Sequence, residues 1–247
     1  MTSSATIPVA AFIPARYAAT RFPAKLMQPL GNKTVIRHTY DATVATGLFN
    51  EVIVVTDSDI IYNEIVDNGG KAIMSLKPHE SGSDRIAEAV AGLDVEVIIN
   101  VQGDEPFIQK EPLQKLVQLF TDPTVQVGSL MRVIKSSEEL QATSAVKVVV
   151  NKHNDALYFS RNVIPYVANP GIPVDYYLHI GVYGYRKQIL LDFTTWPPAL
   201  LEQVEKLEQL RYLENGIKIR MAKVDFISVA IDTPEDLEQA KQMLAEK

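Results

Sequence analysis

Three stretches of this chain carry side chains suited to phosphate chemistry. The first reads IPARYAATRFPAK and puts Arg16, Arg21 and Lys25 within one short segment. Arginine forks match phosphate oxygens in two-point contacts, and lysine adds a point charge. Ala15, Ala18 and Ala19 are small enough to let the backbone approach a ligand. The second stretch is NVQGDEP, in which Asp104 and Glu105 follow an apolar run and Gly103 lets the chain turn. A carboxylate there can hold Mg²⁺, which keeps several waters and takes only one or two protein carboxylates. The third is IDTPED, where Asp232 supplies the second, distant carboxylate such a site needs. Bland readings compete with each: a solvated basic loop, a turn in which Asp104 bonds its own backbone, and an Asp232 that favours the positive end of a helix.

Two weaker signals follow. Glu80–Arg85 (ESGSDR) opens a helical stretch, and helix starts present backbone N–H groups to anions or polar bases; ordinary capping is the alternative. Tyr158–Arg161 and His179–Tyr185 add aromatic and cationic side chains, which on strands are commonly core or edge residues. Several familiar sites are missing. There is no G-x-x-x-x-G-K-[ST], no G-x-G-x-x-G and no G-x-S-x-G. The absent dinucleotide loop disfavours an oxidoreductase. His38, His79, His153 and His179 show no metal-binding spacing.

The elements that must position these residues alternate in the first half. Ile7–Ile13, ending at Pro14, reads as a strand buried on both faces. Thr34–Thr46 reads as a helix stopped by Gly47, Glu51–Asp57 as a strand, Ser58–Asn68 as a helix stopped by Gly69, and Lys71–Ser75 as a short strand. Ser83–Ala91 is helical, Val95–Val101 a strand and Lys110–Phe120 a helix. This pattern predicts an α/β fold, with a mostly parallel sheet and helices on both faces. Ligands of such sheets sit beyond the carboxyl ends of the strands, where all three chemical stretches fall. The second half is less regular. Strands are expected at Val125–Val133, Val146–Val150, Ala156–Phe159 and His179–Tyr185, with a short helix at Ser136–Gln141 and a Pro/Gly-rich loop at Asn162–Val174. Leu200–Glu214 reads as one helix, Ile217–Met221 and Phe226–Ile231 as strands, and Thr233–Ala245 as a helix with Thr233 as its cap. No composition break marks a second domain, so residues 1–247 are expected to form one domain, with a mixed region at about 125–200.

Composition sets the outer limits. At 247 residues, 47% hydrophobic and 22% charged, the chain can bury a large core and is not a disordered one. With no cysteine it has no disulfide, thiolate metal site or cysteine nucleophile. A net charge of −6 argues against a general nucleic-acid binder. No stretch is long and apolar enough for a membrane span, and the first residues do not read as a signal peptide, so a cytoplasmic protein is expected.

Taken together and in order, IPARYAATRFPAK, ESGSDRIAEA, NVQGDEPFI, AVKVV, ALYFSRNVIPY, HIGVYGYRK, EKLEQLRYLENGIKI and IDTPEDLEQA resemble the 3-deoxy-D-manno-octulosonate (Kdo) cytidylyltransferases, also called CMP-Kdo synthetases. The resemblance runs from about Ile7 to the C-terminus. It implies a Rossmann-like nucleotidyltransferase fold, a homodimer, Mg²⁺, and the reaction CTP + Kdo → CMP-Kdo + pyrophosphate in lipopolysaccharide biosynthesis. Carried over residue by residue, Arg16, Arg21 and Lys25 would hold the triphosphate. Ser81, Gly82, Arg85 and Gln102 would lie near cytosine, ribose or the sugar acid, and Asp104 and Asp232 would bind the metal. Arg161, His179, Tyr183, Glu208 and Gln209 would line the sugar pocket. The first loop departs from the common ARYxSTRLPGK by Ala19, Phe22 and Ala24, and Ala at 24 accepts positive φ less readily than Gly. Ala230 likewise stands where Gly often precedes the last motif. CMP-sialate and CMP-8-amino-Kdo synthetases are the neighbouring alternatives. A non-catalytic nucleotide binder is the alternative of another class.

Overall fold

The apolar run after Pro8 forms the first strand, β1 (Val9–Ala15), in which residues on both faces are buried. The computed structural model describes residues 8–18, 22–79, 81–226 and 229–245. Ile7, Ala19, Arg21, Glu80, Ile227 and Ser228, which figure in the sequence reading, lie outside them. Following β1 come a short 3-10 turn (Lys25–Met27), β2 (Pro29–Leu30), β3 (Lys33–Thr34), α1 (Val35–Ala45), β4 (Glu51–Thr56), α2 (Asp59–Val66), β5 (Ala72–Met74), α3 (Gly82–Val90), β6 (Val97–Asn100) and α4 (Lys110–Leu119). Next are β7 (Val127–Val133), α5 (Ser137–Gln141), β8 (Lys147–Val150), β9 (Ala156–Ser160), β10 (Tyr177–Arg186), α6 (Lys187–Phe193), α7 (Leu200–Glu205), α8 (Leu210–Glu214), β11 (Ile219–Lys223) and α9 (Pro234–Ala245). The fold class is α/β, as the alternation predicts. Contacts divide the chain into two compact units, Met1–Gln114 with Ile227–Lys247, and Lys115–Phe226.

In the first unit the strands run β6-β1-β4-β5, all parallel. β1 continues two residues past its expected end, through Pro14 to Ala15. Phe12 is its last residue in register with β6, so the N–H that Pro14 lacks faces the space past the end of that strand, where no ladder bond is lost. Because β1 and β6 are parallel neighbours, their carboxyl ends lie side by side, and Val101 N extends the pairing by donating to Phe12 O at 3.0 Å. α1 is capped by Thr34, whose Oγ1 accepts from Arg37 N, and the chain leaves it at Gly47, φ +65°. α9 begins with the expected cap: Asp236 N donates to Thr233 Oγ1, and Thr233 N donates to Asp236 Oδ2. The strand expected at Phe226–Ile231 is absent from the described residues there. Instead Ile231 N donates to Asp104 O at 2.9 Å, which ties that segment beside the end of β6.

The second unit is a mixed sheet. β11 is parallel to β7, β7 is antiparallel to β10, and β10-β8-β9 continue antiparallel. The register of β10 on β7 slips between Ile180 and Tyr183, a bulge whose carbonyls at Ile180 and Val182 face Ser129 Oγ at 3.2 and 2.9 Å. The helix read as continuous over Leu200–Glu214 is two helices. Lys206 turns left-handed at φ +56° and breaks it.

Candidate active site

The first loop leaves β1 at Arg16, which is exposed, and returns at Ala24, which adopts a left-handed conformation (φ +53°, ψ +30°). Alanine therefore takes the backbone shape for which glycine is suited, at a cost of about 1 kcal/mol. That conformation starts the 3-10 turn carrying Lys25, which is fixed by Met27 N donating to Ala24 O at 2.8 Å and by the buried Leu26. The Lys25 ammonium bonds Asp104 Oδ2 and, at 2.8 Å, Asp232 Oδ1. Lys25 and Asp104 side chains are each 19% exposed and Asp232 is 48% exposed, so the group is shielded but open on one side. Burial alone would lower the Lys25 pKa; the charges and hydrogen bonds of Asp104 and Asp232 outweigh it and hold the ammonium above the ordinary lysine value.

Gly103 matters here for space. A Cβ would sit 3.2 Å from Pro14 O, 3.2 Å from Ile36 and 3.3 Å from Leu26, so any larger residue would press on the end of β1 and make its neighbours give by a few tenths of an ångström. Gly103 also stands in the turn expected of it, which Glu105 N closes by donating to Gln102 O at 3.2 Å. The Gly103 carbonyl is held by Thr39 Oγ1 at 2.9 Å.

Beside this group lies a cavity of about 230 Å³. Of the residues expected around the nucleotide, Arg16, Lys25, Ser81, Gly82, Arg85, Gln102 and Asp104 all line it. Ser81 combines both readings of its motif: it lines the cavity and caps α3, its Oγ accepting from Asp84 N at 3.1 Å. Arg85 is buried and forks to Ser75 Oγ (2.8 Å) and Asp57 Oδ2 (2.7 Å), groups just past β5 and β4. Sequence reasoning missed His79, another lining residue, whose Nε2 lies 2.7 Å from Glu88 Oε2. That hydrogen bond, foremost, keeps the Glu88 carboxyl below its usual range. No spacing rule announces such a pair.

The residues expected around the sugar fall in the second unit. His179 packs between Phe159 and Tyr183, with ring centroids 5.0 and 5.3 Å away, and its Nε2 is 3.0 Å from Ser129 Oγ. Burial pushes its pKa down to about 3, so the ring is neutral at physiological pH. Burial foremost, then the charges of Tyr185 and Glu208, raises the Tyr183 phenol well above its ordinary value, which keeps its O–H as a donor. Gln209 is buried at the start of α8. Arg161 has separate employment. Its guanidinium donates to Glu205 O (2.9 Å), Thr143 O (3.0 Å) and Lys206 O (3.3 Å), which places positive charge on the C-terminus of α7. Its backbone is held by the fully buried Lys147, whose ammonium donates to Arg161 O, Ala145 O and Ala142 O at 2.7–2.8 Å.

A parallel sheet whose strand ends gather cations, carboxylates and a cavity defines a nucleotidyltransferase-type architecture, and comparison with known proteins agrees. The chain matches the cytidylyltransferase family over residues 10–219. It is similar to 3-deoxy-manno-octulosonate cytidylyltransferases from Flavobacterium johnsoniae (57% identical, covering 96% of this chain and 98% of the relative) and Myxococcus xanthus (43%, 95% and 95%). Among solved structures it resembles a CMP:2-keto-3-deoxy-manno-octonic acid synthetase complexed with CTP, with a TM-score of 0.92 and 38% identity over 97% of this chain and 99% of that one. A 4-diphosphocytidyl-2C-methyl-D-erythritol synthase from Anaerococcus prevotii, at 16% identity and TM-score 0.66 over 97% of this chain and 99% of that one, shares the fold. The chain belongs to the 3-deoxy-manno-octulosonate cytidylyltransferase family of enzymes.

Proposed function

We propose that this protein transfers the cytidylyl group of CTP to Kdo, with release of pyrophosphate, to supply CMP-Kdo for lipopolysaccharide assembly. The observation that carries this reading is the Lys25–Asp104–Asp232 group at the edge of a cavity lined by Arg16, Ser81, Gly82, Arg85 and Gln102. In the reaction the anomeric hydroxyl of Kdo attacks the α-phosphorus. An O–P bond forms, the bond to the β-phosphate oxygen breaks, and the hydroxyl proton is lost. Such chemistry needs in-line positioning and charge stabilisation rather than a covalent intermediate with the protein.

Arg16, Arg21 and Lys25 face the triphosphate in this reading, and their charge offsets that building on the leaving pyrophosphate. The opening of α3 at Ser81 and Gly82 meets the nucleoside, with Arg85 and Gln102 beside it. Asp104 and Asp232 fit a hard divalent cation. Both are oxygen donors from distant chain segments, and they already share one positive charge, that of Lys25. We infer Mg²⁺, which when bound supplies neutralisation of phosphate charge and acidification of a coordinated hydroxyl. His179, Tyr183, Glu208 and Gln209 would recognise the polyhydroxy acid, with His179 as a neutral hydrogen-bonding group. The inclusion of Arg161 in that set competes with its bonds to α7.

We also propose a homodimer in the cytoplasm, where CTP is supplied. Leu200 and Val204, exposed one turn apart on α7, supply apolar surface that a second copy would cover. The activity is tested by pyrophosphate release from CTP with Mg²⁺ and either Kdo, 8-amino-Kdo or sialic acid. Release with Kdo supports the reading; release only with another sugar changes the acceptor, and none with any sugar refutes the transferase.

A further inference from the structure

Asp104 and Asp232 carry two negative charges, and Lys25 neutralises one of them from inside the site. The backbone of Lys25 is fixed by the 3-10 turn and by the burial of its neighbour Leu26, whereas a lysine stem of four carbons is flexible. The same residue lines the cavity that Arg16 and Ser81 border. From one anchored Cα, the ammonium can therefore reach either the carboxylates or a polyanion in the cavity.

We propose that Lys25 is the resident counter-cation of the Asp104–Asp232 pair in the nucleotide-free enzyme, and that the ammonium and a divalent cation occupy the pair alternately. The inference rests on the reading of that pair as the metal holder. With the ammonium in place, a free divalent cation meets a pair already half neutralised and binds weakly. A triphosphate in the cavity draws the ammonium away and exposes both carboxylates. Metal and nucleotide then bind with positive coupling, and by linkage each raises the other's affinity. The device keeps the carboxylates close together without a metal, where like charges would otherwise repel. It also frees the lysine for phosphate only when phosphate is present.

The test is Mn²⁺ binding without nucleotide, read from the loss of the free-ion electron paramagnetic resonance signal. Wild type, Lys25→Met, Lys25→Arg and the double variant Lys25→Met/Asp104→Asn are compared, with far-UV circular dichroism as the check on folding. Removing the competing charge should tighten Mn²⁺ binding by roughly tenfold or more in Lys25→Met. Lys25→Arg keeps the charge and should stay near wild type, and the double variant should lose the gain. Equal binding by wild type and Lys25→Met, abolished in the double variant, would overturn the exchange while leaving the metal site intact. If no variant binds Mn²⁺, the metal reading fails and the exchange falls with it.

Discussion

Replacing His179 by Gln should remove a specific part of this protein's acid sensitivity. The imidazole is neutral in the folded protein because burial lowers its pKa from 6.5 to about 3. Once unfolded, it regains its ordinary value. Below pH 6.5 the unfolded state therefore binds a proton that the folded state does not, and stability falls as pH falls until the folded value is reached. From about pH 7.5 to pH 5.0 this group alone should cost about 2 kcal/mol. The unfolded imidazole sets that figure, so any folded value below about 4 gives nearly the same loss. Glutamine keeps a polar group within reach of Ser129 Oγ, does not titrate, and leaves every other ionisable group in place. The assay is urea unfolding of both proteins at matched pH, followed by the fluorescence of Trp196, which packs on Phe193 and Tyr212 in the same unit. The wild-type curve should fall about 2 kcal/mol further than that of the variant over this range. Parallel curves would show that His179 titrates normally in the folded protein, and would refute the burial that is said to lower its pKa.

Two other substitutions separate structural roles from binding roles. Arg161→Ala should lower stability by about 2 kcal/mol in urea unfolding, since three carbonyls around the end of α7 lose a charged donor. An unchanged midpoint with a raised KM for Kdo would instead mark Arg161 as a sugar ligand. Ala24→Gly removes the left-handed strain of about 1 kcal/mol but loosens the unfolded chain by a similar amount. The melting temperature should hold or rise, and a clear fall would mean that the alanine is not strained.

Much of the first unit was legible because buried parallel strands leave continuous apolar runs and helix caps leave short polar signatures. Thr34, Gly47 and Thr233 act at the boundaries their types suggest. The cations and carboxylates were legible because strand ends in such sheets are where ligands bind, and Arg16, Lys25 and Asp104 lie together at one cavity. What was not legible depends on long-range packing. The break at Lys206 interrupts an unbroken helical pattern by placing a non-glycine residue in a left-handed turn, for which the residue type gives no signal. α6 follows β10 without a residue between them, so no turn marks its start. The apolar neighbours of Ile231 suggest a strand, but its bond to Asp104 O serves to bring Asp232 to the site. His79 precedes α3 and Glu88 lies within it, nine residues on, a spacing that no helical or strand pattern singles out.

In the proposed reaction, the Lys25–Asp104–Asp232 group is where the α-phosphate reacts. Asp104→Asn tests this most directly, because the main-chain carbonyl that accepts Ile231 N is untouched and the side chain keeps its size. Turnover of CTP with Kdo should fall at least about a hundredfold while the circular dichroism spectrum and the melting profile stay close to wild type. Turnover within a few fold of wild type would move the reaction centre elsewhere.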